Sequence, residues 1–386
     1  MTLATAAAAA AHPATPFTPA ACPRLVVKIG SSLLVAGGEV RRGWLASVAA
    51  DIADRRREGQ AVVVVTSGAI ALGARRLGLA KGGRASLDDA QAAAATGQIV
   101  LAAAYAELLE AHGLQAAQML LTLGDLEDRR RYLNVAATLD RLLSLGAVPV
   151  VNENDSVATS EIRFGDNDRL AARVASAGAA TGVILLSDVA GLYTADPRAD
   201  PAARLIPQVT TIDAGIEAMA GGALGSAKGG VGTGGMAAKV AAARIATAAG
   251  IPLAIADGRG NHPLAAFADT GRGTVFAAAA AAPARKAWLV ARATVAGRVS
   301  IDAGAARALA GGASLLAAGV TGVAGGFARG DLVEVIGPAG PVARGLIAYD
   351  AADAARIAGT RGEAQAAILG YAPRAALIHR DQLVLL

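Results

Sequence analysis

One cysteine, Cys22, is all that the chain of 386 residues contains. No internal disulfide and no cysteine-based zinc site can form, and a reducing cytoplasm suits such a sequence. Aromatic residues are 3% of the total, too few for a broad surface of exposed stacking rings. The histidines, His12, His112, His262 and His379, are too scattered along the chain to argue for a catalytic triad. Lysine is scarce as well. Lys28, Lys81, Lys228, Lys239 and Lys286 are the only ones, and every other base is arginine. An ammonium is a compact, movable point charge and a guanidinium a wide planar fork. In so arginine-biased a chain, a lysine in an apolar or glycine-rich stretch therefore points to a site that needs the compact charge. Lys28 and Lys239 are both set that way. Residues 1–23 carry no charged side chain and lack the basic start and leucine-type core of a secretory signal. They read as a disordered Ala/Pro-rich tail. Residues 308–328 are also uncharged, but Gly311, Gly312, Gly319, Gly322, Gly325 and Gly326 break them up. Turns and short strands suit that stretch better than a membrane span.

Hydrophobic residues reach 54%, enough for sizeable cores, and the length suggests two domains. The net charge of +5 suits an anionic partner, although an excess that small says little by itself. Leu25 to Ile29, Ala61 to Val65, Val148 to Val151 and Val183 to Leu186 are apolar throughout, as strands buried on both faces are. Alanine- and leucine-rich stretches of helical length, near 44–58, 89–111 and 129–145, alternate with them. The pattern predicts an α/β fold with a mainly parallel central sheet covered on both sides. After Pro283 short apolar segments such as Leu332 to Ile336 and Leu383 to Leu386 are separated by Gly and Pro, which predicts a small, mainly-β domain. The expected division is a tail at 1–23, an α/β domain at 24–282, and a linker with the β-rich domain at 283–386.

Parallel sheets collect their ligands at the carboxyl ends of the strands. Polar clusters fall at these positions: Gly30-Ser31-Ser32 after Ile29, Thr66-Ser67-Gly68 after Val65, Asn152-Glu153-Asn154-Asp155 after Val151, and Ser187-Asp188 after Leu186. Lys28-Ile29-Gly30-Ser31-Ser32 can cradle a phosphate, though a strand-end lysine reaching to solvent reads equally well. The run from Gly229 to Lys239 opens an alanine-rich helix, whose first amides can face an anion that Lys239 also reaches. The alternative there is a flexible loop with a surface lysine. Gly165-Asp166-Asn167-Asp168 adds acids a dozen residues after Asp155; the paired acids suit a metal site, an amine site or a general base, and Asp166 to Asp168 also suit a helix cap. An EF-hand is excluded by the ligand spacing.

These segments occur together with Gly191-Leu192-Tyr193-Thr194-Ala195-Asp196-Pro197-Arg198 and Arg163-Phe164-Gly165-Asp166-Asn167-Asp168. In that combination and order, from Leu25 to Asp381, the chain resembles the glutamate 5-kinase branch of the amino acid kinase family. The resemblance implies a three-layer α/β sandwich, a homo-oligomer (dimer or tetramer), Mg²⁺ carried by ATP rather than by a metal site of the chain, and feedback inhibition by proline. It implies that Lys28 and Lys239 contact the transferring phosphoryl group and that Asp168 orients them. Ser67, Asp155 and Asn167 would hold L-glutamate. Lys28, Gly30, Ser187, Asp188, Thr233, Gly234, Gly235, Met236, Ala237, Ala238 and Lys239 would hold ATP. Ser31 and Ser187 stand where the family usually has threonine, and each keeps the hydroxyl. A reductase that consumes the acyl phosphate is the expected partner. Residues 292–370 resemble a PUA domain, on Ser314-Leu315-Leu316, Gly319-Val320 and Phe327 to Asp331. That module binds RNA in other proteins, but few aromatics are present here (Trp288, Phe327, Tyr349, Tyr371), which favours a structural or regulatory role. The remaining alternatives are a kinase for another small acid and an RNA-binding protein.

Overall fold

The computed structural model describes residues 12–157, 167–221, 235–278 and 295–386. By their contacts they form two compact units, one of residues up to 123 with 138–279, the other of 124–137 with 280 onward.

The first unit is built on an eight-stranded sheet. Its strands are β1 (Arg24–Ile29), β4 (Ala61–Val65), β5 (Ala116–Leu121), β6 (Val148–Glu153), β7 (Gly182–Ser187), β8 (Gln208–Val209), β9 (Leu253–Asp257) and β10 (Gly273–Phe276). The short hairpin β2 (Val35–Ala36) and β3 (Glu39–Val40) stands apart from it. The order is β5-β6-β4-β1-β7-β9-β10-β8, and only the β9/β10 pair is antiparallel. The expected mainly parallel sheet is therefore present. The register aligns the strand ends: Lys28 pairs with Val65 on one side and Leu185 on the other, Val65 with Val151, and Ser187 with Asp257.

The helices between Ser31 and Thr270 are α1 (Ser31–Leu34), α2 (Arg42–Arg57), α3 (Ala69–Leu77), α4 (Leu87–Glu110), α5 (Leu123–Glu127), α6 (Arg129–Ser144), α7 (Asn167–Ala177), α8 (Ala214–Met219), α9 (Met236–Ala248) and α10 (Pro263–Thr270); most of α5 and the first half of α6 fall within residues 124–137 and so belong to the second unit. Alternation along β1 decides which face each residue serves. Leu25, Val27 and Ile29 join one core with Trp44, Leu45 and Val48 of α2 and Leu101 of α4. Val26 and Lys28 must then point to the opposite face, where α7 and α9 pack together. Burial of apolar surface on both faces supplies the main stabilisation.

Residues 12–23 differ from the expected disordered tail. Phe17 is 1% exposed, and its ring lies tilted by 57° against that of Phe267 with the centroids 5.9 Å apart. Gln60 Nε2 donates to the Phe17 and Cys22 carbonyls at 3.2 and 2.6 Å, and Arg55 Nη1 donates to the Phe17 carbonyl at 3.0 Å. A charge-free sequence here signals burial rather than solvation.

The second unit has a five-stranded, mostly antiparallel sheet: β11 (Gly297–Ile301), β12 (Val320–Gly325), β13 (Leu332–Gly337), β14 (Gly340–Leu346) and β15 (Leu383–Leu385), in the order β12-β11-β13-β14-β15. Its own core includes Val299, Leu315, Phe327, Val335, Ile347 and Ile378. Residues 124–137, expected within the α/β domain, group with this unit instead. Arg329 Nη2 donates to Asn134 Oδ1 at 2.6 Å, and Arg130 Nε donates to the Arg329 carbonyl at 3.1 Å. Gly330, at φ +91°, lies against the Arg129–Arg130 backbone, where a Cβ would come within 3.1 Å of the Arg130 nitrogen. Pro283, where the linker was expected to begin, and Trp288 lie outside the described residues.

Candidate active site

The carboxyl edge of the sheet brings three buried charges together. Lys28, next to last on β1, places Nζ 2.6 Å from Asp168 Oδ1. Lys239, in the first turns of α9, places Nζ 2.9 Å from Asp168 Oδ2. Asp168 opens α7, and its side chain is 1% exposed. Burial would raise its pKa, but the adjacent Lys28 and Lys239 charges outweigh that and hold the carboxyl below its ordinary value. Asp168 stays ionised and spans the two ammonium groups, which would otherwise repel. These three side chains carry one more positive than negative charge, an arrangement that suits an incoming polyanion. The backbone allows it: Lys28 Nζ lies 3.8 Å from where a Gly30 Cβ would be. Gly235 caps α9, so that the Met236 and Ala237 amides open that helix. Ala238 and Lys239 already donate back to the Gly235 carbonyl at 3.0 and 3.3 Å. Thr233, Gly234 and Asp166 lie outside the described residues.

A second cluster adjoins the first through α7. Asn167 Nδ2 donates to the Thr66 carbonyl at 2.6 Å, to Ser67 Oγ at 2.8 Å and to Asn152 Oδ1 at 3.0 Å. Ser67 and Asn167 are thus brought together as expected, by the turn between β4 and α3. Gly68 makes that turn at φ +105°, and a Cβ there would sit 2.9 Å from Val35 Cγ2; only glycine fits. Asp155 follows β6 and is buried, which pushes its carboxyl up to about 6 against the opposing charge of Arg84. The Oδ1 atoms of Asn167 and Asp155 are both buried without a hydrogen-bond partner among the described residues. Each is an acceptor waiting for a donor. Asp155 lines a cavity of about 230 Å³ with Ala69, Gln98, Gln118, Leu120 and Glu153 among others.

Ser187 ends β7 and Asp188 follows it. Ser187 Oγ donates to Asp188 Oδ1 at 3.3 Å, and Arg198 Nη2 donates to Asp188 Oδ2 at 3.3 Å. Beside them Asp257 grips Arg259, with Nε and Nη2 donating at 2.9 and 2.6 Å.

Sequence reasoning passed over the supports. Tyr105 of α4 shares a 2.9 Å hydrogen bond with Thr66 Oγ1, and Asn152 Nδ2 donates to Gln98 Oε1 at 2.8 Å. Burial pushes the Tyr105 hydroxyl far up, so it stays protonated. The only signal for these residues was a polar side chain inside an alanine-rich helix.

The carboxyl edge of the sheet thus gathers Lys28, Asp168 and Lys239 beside the buried acceptors of Asn167 and Asp155. The sequence model of the Amino acid kinase family matches residues 23–257, and that of the PUA domain matches 297–369. The chain belongs to the amino acid kinase family. Its full-length relatives narrow this to the glutamate 5-kinases. The glutamate 5-kinase of Sphingopyxis alaskensis is 67% identical, over 96% of this chain and 99% of its own. That of Zymomonas mobilis is 58% identical, over 96% and 93%, and that of Novosphingobium aromaticivorans 61%, over 95% and 96%. Among solved structures, a UMP kinase from Bacillus anthracis aligns over 67% of this chain and 97% of its own, at 14% identity and a TM-score of 0.46.

Proposed function

We propose that the chain transfers the terminal phosphoryl group of ATP to the side-chain carboxylate of L-glutamate, giving L-glutamyl 5-phosphate for proline synthesis. The observation that carries this is the Lys28–Asp168–Lys239 bridge standing next to the acceptors of Asn167 and Asp155, which have no partner among the described residues. The bridge suits a phosphoryl group in transfer, and the acceptors suit an ammonium.

Glutamate's carboxylate, with a reference pKa of about 4.3, is already a nucleophile at neutral pH. No general base is required. The obstacle is repulsion between two anions, so catalysis rests on in-line positioning and on neutralising charge at the phosphoryl oxygens. Lys28 and Lys239 supply that neutralisation, with Asp168 fixing their spacing. Ser67, Asn167 and Asp155 hold glutamate. Ser187, Asp188, Gly30 and the stretch from Thr233 to Lys239 hold ATP, and Mg²⁺ enters with the nucleotide. Among the described residues no group of histidine, cysteine and acidic side chains forms a metal cluster.

A homo-oligomer suits α4. It is long and apolar enough to cross a membrane, but 44% of its apolar window is buried within the fold, and Ile99 on it is 72% exposed. A second copy is the cover this reading assigns to that face. Release of ADP from Mg²⁺-ATP, assayed with a panel of glutamate, aspartate, N-acetylglutamate, carbamate and UMP, tests the substrate. Turnover with glutamate that proline suppresses is the expected result. Turnover with another acceptor alone overturns the substrate.

A further inference from the structure

A buried amide stands beside this site. Gln98 lies on α4 among alanines and is 9% exposed. Amide oxygens and nitrogens look alike, so their orientation has to be fixed by their partners. Here the backbone fixes it. Asn152 Oδ1 accepts from the Glu153 backbone N–H at 2.9 Å, a donor that cannot reverse. Asn152 Nδ2 is therefore the atom that faces Gln98, and Gln98 meets it with Oε1 at 2.8 Å. Asn167 is fixed in the same way, because its Nδ2 points at the Thr66 carbonyl. The run Gln98–Asn152–Asn167 thus has a single direction. At one end it leaves the Asn167 oxygen as an acceptor with no partner among the described residues. At the other it leaves both hydrogens of Gln98 Nε2 with no partner among the described residues.

Gln98 and Asp155 line the same cavity of about 230 Å³, many times the space one water needs. That cavity is therefore lined by a carboxylate acceptor and an amide donor without partners among the described residues, the complement of a zwitterion. We propose that Gln98 is an acceptor-binding residue: Nε2 donates to the α-carboxylate of the amino acid whose ammonium meets Asp155. The proposal rests on the glutamate reading above and adds the group that recognises the α-carboxylate. Gln98 would make the enzyme select an amino acid over an amine that merely carries the reacting carboxylate.

The test compares glutamate with 4-aminobutanoate, which keeps the amine and the reacting carboxylate and lacks the α-carboxylate. Kinetics are measured on the full-length protein, on Gln98→Leu and on Gln98→Glu. The inhibition constant of 4-aminobutanoate replaces its kcat/KM where it is not turned over. A hydrogen bond to a charged group is lost in Gln98→Leu, so kcat/KM for glutamate should fall about tenfold to a hundredfold. The analogue should be affected little and the KM for ATP not at all. Gln98→Glu keeps an oxygen for Asn152 but has no donor, so it should not restore glutamate. Equal losses for both acceptors in Gln98→Leu, or recovery in Gln98→Glu, would show that Gln98 only holds Asn152 and overturn the proposal. Failure of the unaltered enzyme to use glutamate would instead overturn the reading on which it stands.

Discussion

Asp155 carries the sharpest prediction at the scale of single residues. Its carboxyl titrates at about 6 instead of the ordinary 3.8, because burial disfavours the charge. The stability given by its protonated form is complete below 3.8 and is lost as pH rises through about 6. A bound ammonium reverses the preference, so glutamate binding near that pH should release a proton. The KM for glutamate should accordingly rise as pH falls below about 6. Asp155→Asn should flatten that limb and raise the KM at neutral pH. The same pH profile in both proteins would remove Asp155 from the site. Lys28→Ala and Lys239→Ala should each lower turnover by about 10²–10³ with folding intact, measured by ADP release; near-normal turnover in either variant would remove its assigned role. The two lysines stood out in the sequence by their setting, and Asp168, which the structure brings between them, stood out only through the family's motif. Ser67, Asp155 and Asn167 were legible through their motifs. Gln98 and Tyr105 were not, because a polar residue on an alanine-rich helix reads as solvent-facing until the fold shows what it touches.

Among the elements, α3 and α4 pack backbone to backbone. A Cβ at Gly73 would fall 1.8 Å from the Ala93 carbonyl oxygen, and one at Gly97 1.8 Å from that of Ala69. Gly97→Ala must therefore push the helices apart, at a cost of about 1–3 kcal/mol, read as a lower melting temperature. Ala69 follows Ser67-Gly68 directly, so the shift should also raise the KM for glutamate more than that for ATP. An unchanged melt with unchanged kinetics would mean that the contact yields freely. The strands buried on both faces announced themselves as apolar runs. β5 did not, since it is the sheet's edge, is half-exposed and includes Gln118. α3 is nine residues long and had no clear start signal except Gly68.

For the whole molecule, the change of texture near Pro283 made the β-rich unit legible. The grouping of 124–137 with that unit was not, because the partners, Arg329 and Gly330, lie some two hundred residues further along. Long-range pairing leaves no local pattern. The charge-free start was misread for a related reason, since composition alone cannot separate a solvated tail from a segment that buries Phe17. Self-association is expected through the α4 face. Light scattering should give a multiple of the 38.0 kDa chain mass, and Ile99→Glu should reduce it; a monomer in the unaltered protein would contradict that assignment. The central claim is that the edge of this sheet phosphorylates a carboxylate. The most direct measurement adds hydroxylamine to the enzyme with Mg²⁺-ATP and glutamate, to trap an acyl phosphate as it forms. The expected result is a hydroxamate in step with ADP, lost in Lys28→Ala and Lys239→Ala. ADP released without hydroxamate, or no turnover of glutamate at all, would contradict it.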